Sequence, residues 1–81
     1  MRVAVAAFAG LRELLAGSVM ELELPAGASV GDAWSALERR HPGLAPLAGS
    51  TRLARNGRLA APADVLSDGD ELALLPPVGG G

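Results

Sequence analysis

With 81 residues the chain can form one domain around one modest core, which at this size withdraws roughly 60% of the unfolded surface from water and leaves little room for an internal cleft. Apolar residues make up 49% of the chain and charged residues 20%, which excludes a disordered composition, and a net charge of −2 excludes a broad electrostatic grip on nucleic acid. There is no cysteine, so disulfides, thiolate metal sites and thiol nucleophiles are excluded together, and all seven basic residues are arginine, which leaves no ε-amine for another copy of the chain to acylate.

Residues 2–8 alternate so that Val3, Val5 and Ala7 share one face and Ala4, Ala6 and Phe8 the other, predicting a first strand. Leu11, Leu14 and Leu15 fall at helical spacing within Ala9 to Ala16, a short helix that Gly17 would close. Val19 to Leu24 alternates again, with Met20, Leu22 and Leu24 set against Glu21 and Glu23, a strand with one wet face. Pro25-Ala26-Gly27 then turns the chain. Ser29 and Asp32 have capping-box spacing and introduce Val30, Ala33, Trp34 and Leu37, the buried stripe of a helix that runs to about His41. Trp34 reads as core. Arg39, Arg40 and His41 suit the negative end of the helix dipole, and Pro42-Gly43 stops it.

A loop containing Pro46 and Gly49 leads to Leu53 to Ala60, where Asn56-Gly57 is a strong hairpin signal. Arg52, Arg55 and Arg58 read as the solvated surface of that hairpin. Asp68-Gly69-Asp70 is ordinary turn chemistry and not a metal loop, and Glu71 to Leu75 alternates as a final strand. His41, the only histidine, has no cysteine partner and sits where a helix-terminal charge belongs, which argues against a metal site or a nucleophilic triad. No apolar run approaches the ~20 residues of a membrane span, and the N-terminus carries no targeting pattern, so a cytoplasmic protein is expected, without membrane or nucleic-acid partners.

The element order fits an α+β fold of the β-grasp type, a mixed sheet over one main helix. The domain is expected over residues 1–75, with an extended, flexible glycine tail over 76–81. Val3, Val5, Leu72 and Leu74 would face the helix, leaving Ala4, Ala6, Phe8, Ala73 and Leu75 as an apolar outer face suited to a partner. Pro76-Pro77 ends the ladder and projects Val78-Gly79-Gly80-Gly81, a segment that reaches roughly 20 Å at about 3.3 Å per residue. Lacking Cβ atoms, the glycines can thread a tunnel too narrow for side chains. The Gly81 carboxylate is a poor electrophile, so chemistry there requires activation by another protein. ATP can convert it to an acyl adenylate, from which a persulfide sulfur displaces the phosphate to give a thiocarboxylate. With no phosphate-binding glycine loop in the chain, ATP belongs to the activating partner, and no cofactor is expected here.

Three stretches, Phe8-Ala9-Gly10-Leu11-Arg12-Glu13-Leu14, Leu66-Ser67-Asp68-Gly69-Asp70-Glu71-Leu72-Ala73 and Pro76-Pro77-Val78-Gly79-Gly80-Gly81, make the sequence resemble the small subunits of molybdopterin synthase among the ubiquitin-like sulfur carriers. The likeness spans essentially the whole chain, and the double proline is its most discriminating piece, although leucines stand where many relatives place aromatic residues before the prolines. It implies that an E1-like enzyme adenylates Gly81 and that a donor such as a cysteine desulfurase or a rhodanese-type protein supplies sulfur. The tail, with Gly80 and Gly81 at its tip, would then enter the synthase large subunit in a heterotetramer and deliver sulfur to cyclic pyranopterin monophosphate. On this reading the chain is no enzyme alone but the sulfur-donating subunit of a transferase. Phe8, Leu59, Leu75, Pro76, Pro77, Val78 and Gly79 would meet the partners, and Arg12 would either touch a partner or pair along its own helix. A carrier for thiazole synthesis or another sulfur pathway, or a ubiquitin-like protein modifier, are the alternatives.

Overall fold

Alternating burial along three strands shows how the sheet is built. In the computed structural model, which describes residues 1–8, 11, 15 and 19–76, β1 (Arg2–Ala7) and β5 (Glu71–Leu75) bury every second residue, while β2 (Val19–Glu23) buries Leu22 between exposed glutamates. β1 pairs antiparallel with β2, Val3 opposite Leu22, and parallel with β5, Val5 beside Leu72. β5 pairs antiparallel with β3 (Arg52–Arg55), which turns into β4 (Arg58–Leu59). The resulting order β2-β1-β5-β3-β4, with the chain's first and last strands parallel at its centre, is the expected β-grasp.

The helix α1 (Val30–Arg40) begins with the expected capping box: the Ser29 hydroxyl accepts from the Asp32 amide at 3.1 Å, and the Ser29 amide donates to the Asp32 carboxylate at 2.9 Å. Such a cap contributes about 1 kcal/mol. Val30, Ala33 and Leu37 pack against Val3, Val5, Leu72 and Leu74, and all seven are fully buried. Burying each Val or Leu stabilises the fold by about 1.5–3 kcal/mol, so this interlock dominates the core. Trp34, expected in the core, is only half-buried and packs against its edge.

Pro42 ends α1 as predicted, but the chain then continues into a 3-10 helix over Pro42–Leu47 where the sequence suggests an irregular loop. Proline tolerates a first helical position because its missing N–H would be unpaired there, and the turn carries Leu44 into the core with no exposure. The segment after β4 folds back onto the start of α1: the Val30 amide donates to the Asp64 carbonyl at 2.8 Å and the Gly31 amide to the Pro62 carbonyl at 2.9 Å. Of the predicted helix over 9–16, only Leu11 and Leu15 are described; both are buried, and the Leu15 amide donates to the Leu11 carbonyl at 3.2 Å. The rest of that prediction, including Arg12 and Gly17, lies outside the described residues.

Candidate docking face and carrier terminus

Strand register fixes what the face opposite α1 presents. Residues paired across strands share a face, so Val19, Ala6, Ala73, Ala54 and Leu59 form one continuous row across all five strands. Every member is apolar. Val19 is 68% exposed and Leu59 64%, whereas the three alanines between them lie lower and are half-buried or buried. With no atoms beyond Cβ, those alanines form a shallow floor between two taller rims, a shape that admits the side chains of a partner.

The rows on either side differ in polarity. Toward the start of β5 come Glu21, Ala4 and Glu71, followed by Arg2 and Glu23, and Arg2 pairs with Glu23 at 3.5 Å and with Glu21 at 3.8 Å. Toward the end of β5, Leu75 stands opposite Arg52, and Phe8, just past β1, is 49% exposed. The end of the face that lacks acidic side chains, with Phe8 and Leu75, is therefore the end at which Pro76 follows β5. Phe8, Leu59, Leu75 and Pro76 among the predicted partner-binding residues are described, and Leu59 and Leu75 lie on this outward side. Pro77, Val78, Gly79, Gly80 and Gly81 lie outside the described residues.

Val19 and Ala54 complete the row but do not figure among the expected docking residues. Val19 is in phase with Glu21 and Glu23, so its alternation puts it on the wet side of β2, and that phase was the available signal. Ala54 carries little signal, since a small side chain suits either face.

The β3–β4 turn is held by chemistry that the sequence indicates only in part. Asn56 has φ 49° and Gly57 φ 84°, the pair of positive values that a two-residue hairpin of this twist requires. Asn56 also reaches across to β5, its side-chain amide donating to Asp70 at 2.9 Å and its oxygen accepting from the Glu71 amide at 2.9 Å. Asp70, only 7% exposed, further accepts from the Ser67 amide and from the Arg55 guanidinium, both at 2.7 Å. The Ser67 amide first, then Asn56 and Arg55, hold its carboxyl below the usual carboxylate range against the opposing effect of burial. Asp70 thus anchors the β3–β4 turn to the start of β5. Among the described residues no three acidic or histidine side chains gather as a metal site would, and no helix is long and apolar enough to cross a membrane.

Known proteins share this whole architecture. The chain is 38% identical over 82 residues to small archaeal modifier protein 1 of Haloferax volcanii, covering 91% of this chain and 94% of that one. It is 34% identical over 83 residues to the molybdopterin synthase sulfur carrier subunit of Chlamydomonas reinhardtii, covering 100% of both. The crystal structure of the Haloferax protein superposes with a TM-score of 0.88 at 34% identity over 100% of each chain. The complex of subunits 1 and 2 of molybdopterin-converting factor from Helicobacter pylori offers a match at TM-score 0.72 and 27% identity, again over 100% of each chain. The ThiS family itself matches residues 5–81, a stretch that takes in α1, the last four strands, the apolar row and the glycine end, and the chain belongs to this family of ubiquitin-like ThiS/MoaD sulfur carriers.

Proposed function

We propose that this protein carries sulfur as a thiocarboxylate on Gly81 and donates it, as the small subunit of molybdopterin synthase, to cyclic pyranopterin monophosphate. The observation that carries this reading is an outward sheet face with an apolar row, from whose last strand the sequence runs through two prolines to three glycines. That face positions the body on a partner, and the end enters the partner's catalytic site. Two relatives support the pathway, the Chlamydomonas sulfur carrier subunit and the Helicobacter subunit in complex with its second subunit.

The chemistry proceeds on partners. An E1-like enzyme joins the Gly81 carboxylate to the AMP portion of ATP with loss of pyrophosphate, converting an unreactive anion into an acyl group with a good leaving group. The terminal sulfur of a donor persulfide, from a cysteine desulfurase or a rhodanese-type protein, attacks the acyl carbon and AMP departs. A second thiol then cleaves the acyl disulfide, so that the thiol and donor sulfur end as a disulfide and Gly81 as a thiocarboxylate. In the large subunit this sulfur attacks the pterin precursor, and water returns Gly81 to a carboxylate. Phe8, Leu59, Leu75, Pro76, Pro77, Val78 and Gly79 guide the approach, and Gly80 and Gly81 pass where a Cβ would clash.

The decisive experiment incubates the protein with ATP, its activating enzyme and a sulfur source. The intact mass should rise by the difference between sulfur and oxygen, and the charged protein should then sulfurate the pterin precursor with the large subunit. A variant lacking Gly80 and Gly81 should gain no sulfur while melting at the same temperature. An unchanged mass for the full chain overturns the proposal.

The relation to a small archaeal modifier favours a second reading, in which the activated Gly81 is joined to lysines of other proteins. Trypsin would then leave a branch running from Leu59 to Gly81 on the target lysine, since Arg58 is the last basic residue. Finding such branches in cell lysate supports conjugation.

A further inference from the structure

A cavity of about 420 Å³ opens between α1 and the β3–β4 hairpin, at the edge of the core. This volume lies within the roughly 300–1,000 Å³ typical of small-molecule sites. Gly31 sets one boundary: a Cβ there would meet the Pro62 carbonyl at 3.2 Å, a tight contact that any larger residue would relieve only by shifting the returning segment by a few tenths of an ångström. Leu53, Leu59 and Pro62 give the interior an apolar lining, and Trp34 adds an indole.

The polar side chains that line the cavity are all able to donate. Trp34 Nε1 and Thr51 Oγ1 are both buried and have no hydrogen-bond partner among the described residues. An indole N–H can only donate, a guanidinium can only donate, and a threonine hydroxyl can do so as well. Arg52, which also lines the cavity, makes no ion pair among the described residues, and no acidic side chain lines the cavity with it. Buried donors without acceptors are costly, and an anionic acceptor matches all three groups at once.

We propose that this cavity binds a small aromatic carboxylate. Its ring lies against Trp34 among Leu53, Leu59 and Pro62, and its carboxylate faces Arg52 and accepts from Thr51 and the indole after a small rotation of those side chains. This assignment does not rest on the sulfur chemistry proposed for Gly81, because none of the cavity-lining residues it uses belongs to the glycine end. Leu59 and Arg52 nevertheless belong both to the cavity wall and to the outward rows, so a bound ligand adjoins the docking face.

The test uses the ¹⁵N-labelled full chain titrated through the millimolar range with 3-phenylpropionate, and in parallel with the neutral 3-phenylpropionamide. Trp34 is the only tryptophan, so its indole signal is unambiguous. The acid should shift the indole N–H and the Leu59 and Ala60 amides saturably, and both the neutral amide and Arg52→Gln should weaken binding roughly tenfold, the loss expected of a charge-assisted pair. Trp34→Phe keeps a ring but removes the donor, and should weaken binding of the acid more than that of the amide, read at Leu59 and Ala60. Absence of a saturable shift, equal binding of acid and amide, or full binding by Arg52→Gln overturns the assignment.

Discussion

Both faces of the central sheet carry an apolar row, and the two rows are opposite in use. Toward α1 stand Val3, Val5, Leu72 and Leu74, none with any exposure, and between them in sequence Ala4, Ala6, Ala73 and Leu75 face outward and remain partly open. What separates the faces is side-chain volume. Valine and leucine interlock with helix side chains at the density of a protein interior, whereas a floor of alanines flanked by Val19 and Leu59 leaves a shallow surface open to another molecule. Apolar periodicity marks both faces, and size tells which one is core.

The sharpest way to break that comparison is to remove volume from the inner face. Leu74 is fully buried, beside Ala7 on β1 and opposite Leu53 on β3, in the middle of the interlock with α1. Leu74→Ala should cost about 2–5 kcal/mol, a large share of the roughly 5–15 kcal/mol that holds a small domain. Urea unfolding followed by far-UV circular dichroism measures it. A loss below about 1 kcal/mol would mean that the inner face is loosely packed and that volume does not distinguish the two faces.

Asp70 tests the joint between the faces, since it holds the hairpin that carries Leu59 against β5. In Asp70→Asn the carboxylate that accepted from Ser67, Asn56 and Arg55 loses its charge and one acceptor, and stability should fall by about 2 kcal/mol. The pH dependence follows from the lowered carboxyl pKa in the folded protein. A depressed pKa stabilises the fold fully above the unfolded value of about 3.9, and this contribution is lost as pH falls through the folded value. The gap between wild type and Asp70→Asn should therefore be full near neutrality and close below about pH 4, which urea midpoints across that range would show. A gap independent of pH would assign the role of Asp70 to shape and not charge.

Local chemistry explains why some of this could be read in advance. Alternation located β1, β2 and β5; Ser29 with Asp32 started the helix; Asn56-Gly57 placed the hairpin. Each signal is carried by residues within a few positions of one another. The strand order came instead from the family resemblance, because parallel pairing of β1 with β5 joins residues about 67 positions apart and leaves no local mark. The fold-back of residues 62–66 onto the start of α1 was hidden for the same reason, and the two prolines of the 3-10 helix read as breakers although one of them begins it. At the candidate site, Phe8 and Leu75 were legible from alternation as outward apolar residues and Leu59 came from the family resemblance, whereas the row that joins Leu59 to Val19 depends on register across four strand pairs.

The smallest expected effect concerns the outer face. Leu59 is 64% exposed on a two-residue strand, so Leu59→Asp should change stability by no more than about 0.5 kcal/mol, far less than Leu74→Ala. If the apolar row docks the synthase large subunit, a charge at its rim must be desolvated on binding, and affinity should fall roughly tenfold, or about 1.4 kcal/mol. Calorimetric titration of the variant into the large subunit measures this, with unfolding in urea as the control. Unchanged affinity would move the interface to the Phe8 and Leu75 end of the sheet, whereas a stability loss comparable to that of Leu74→Ala would show that Leu59 is part of the core despite its exposure.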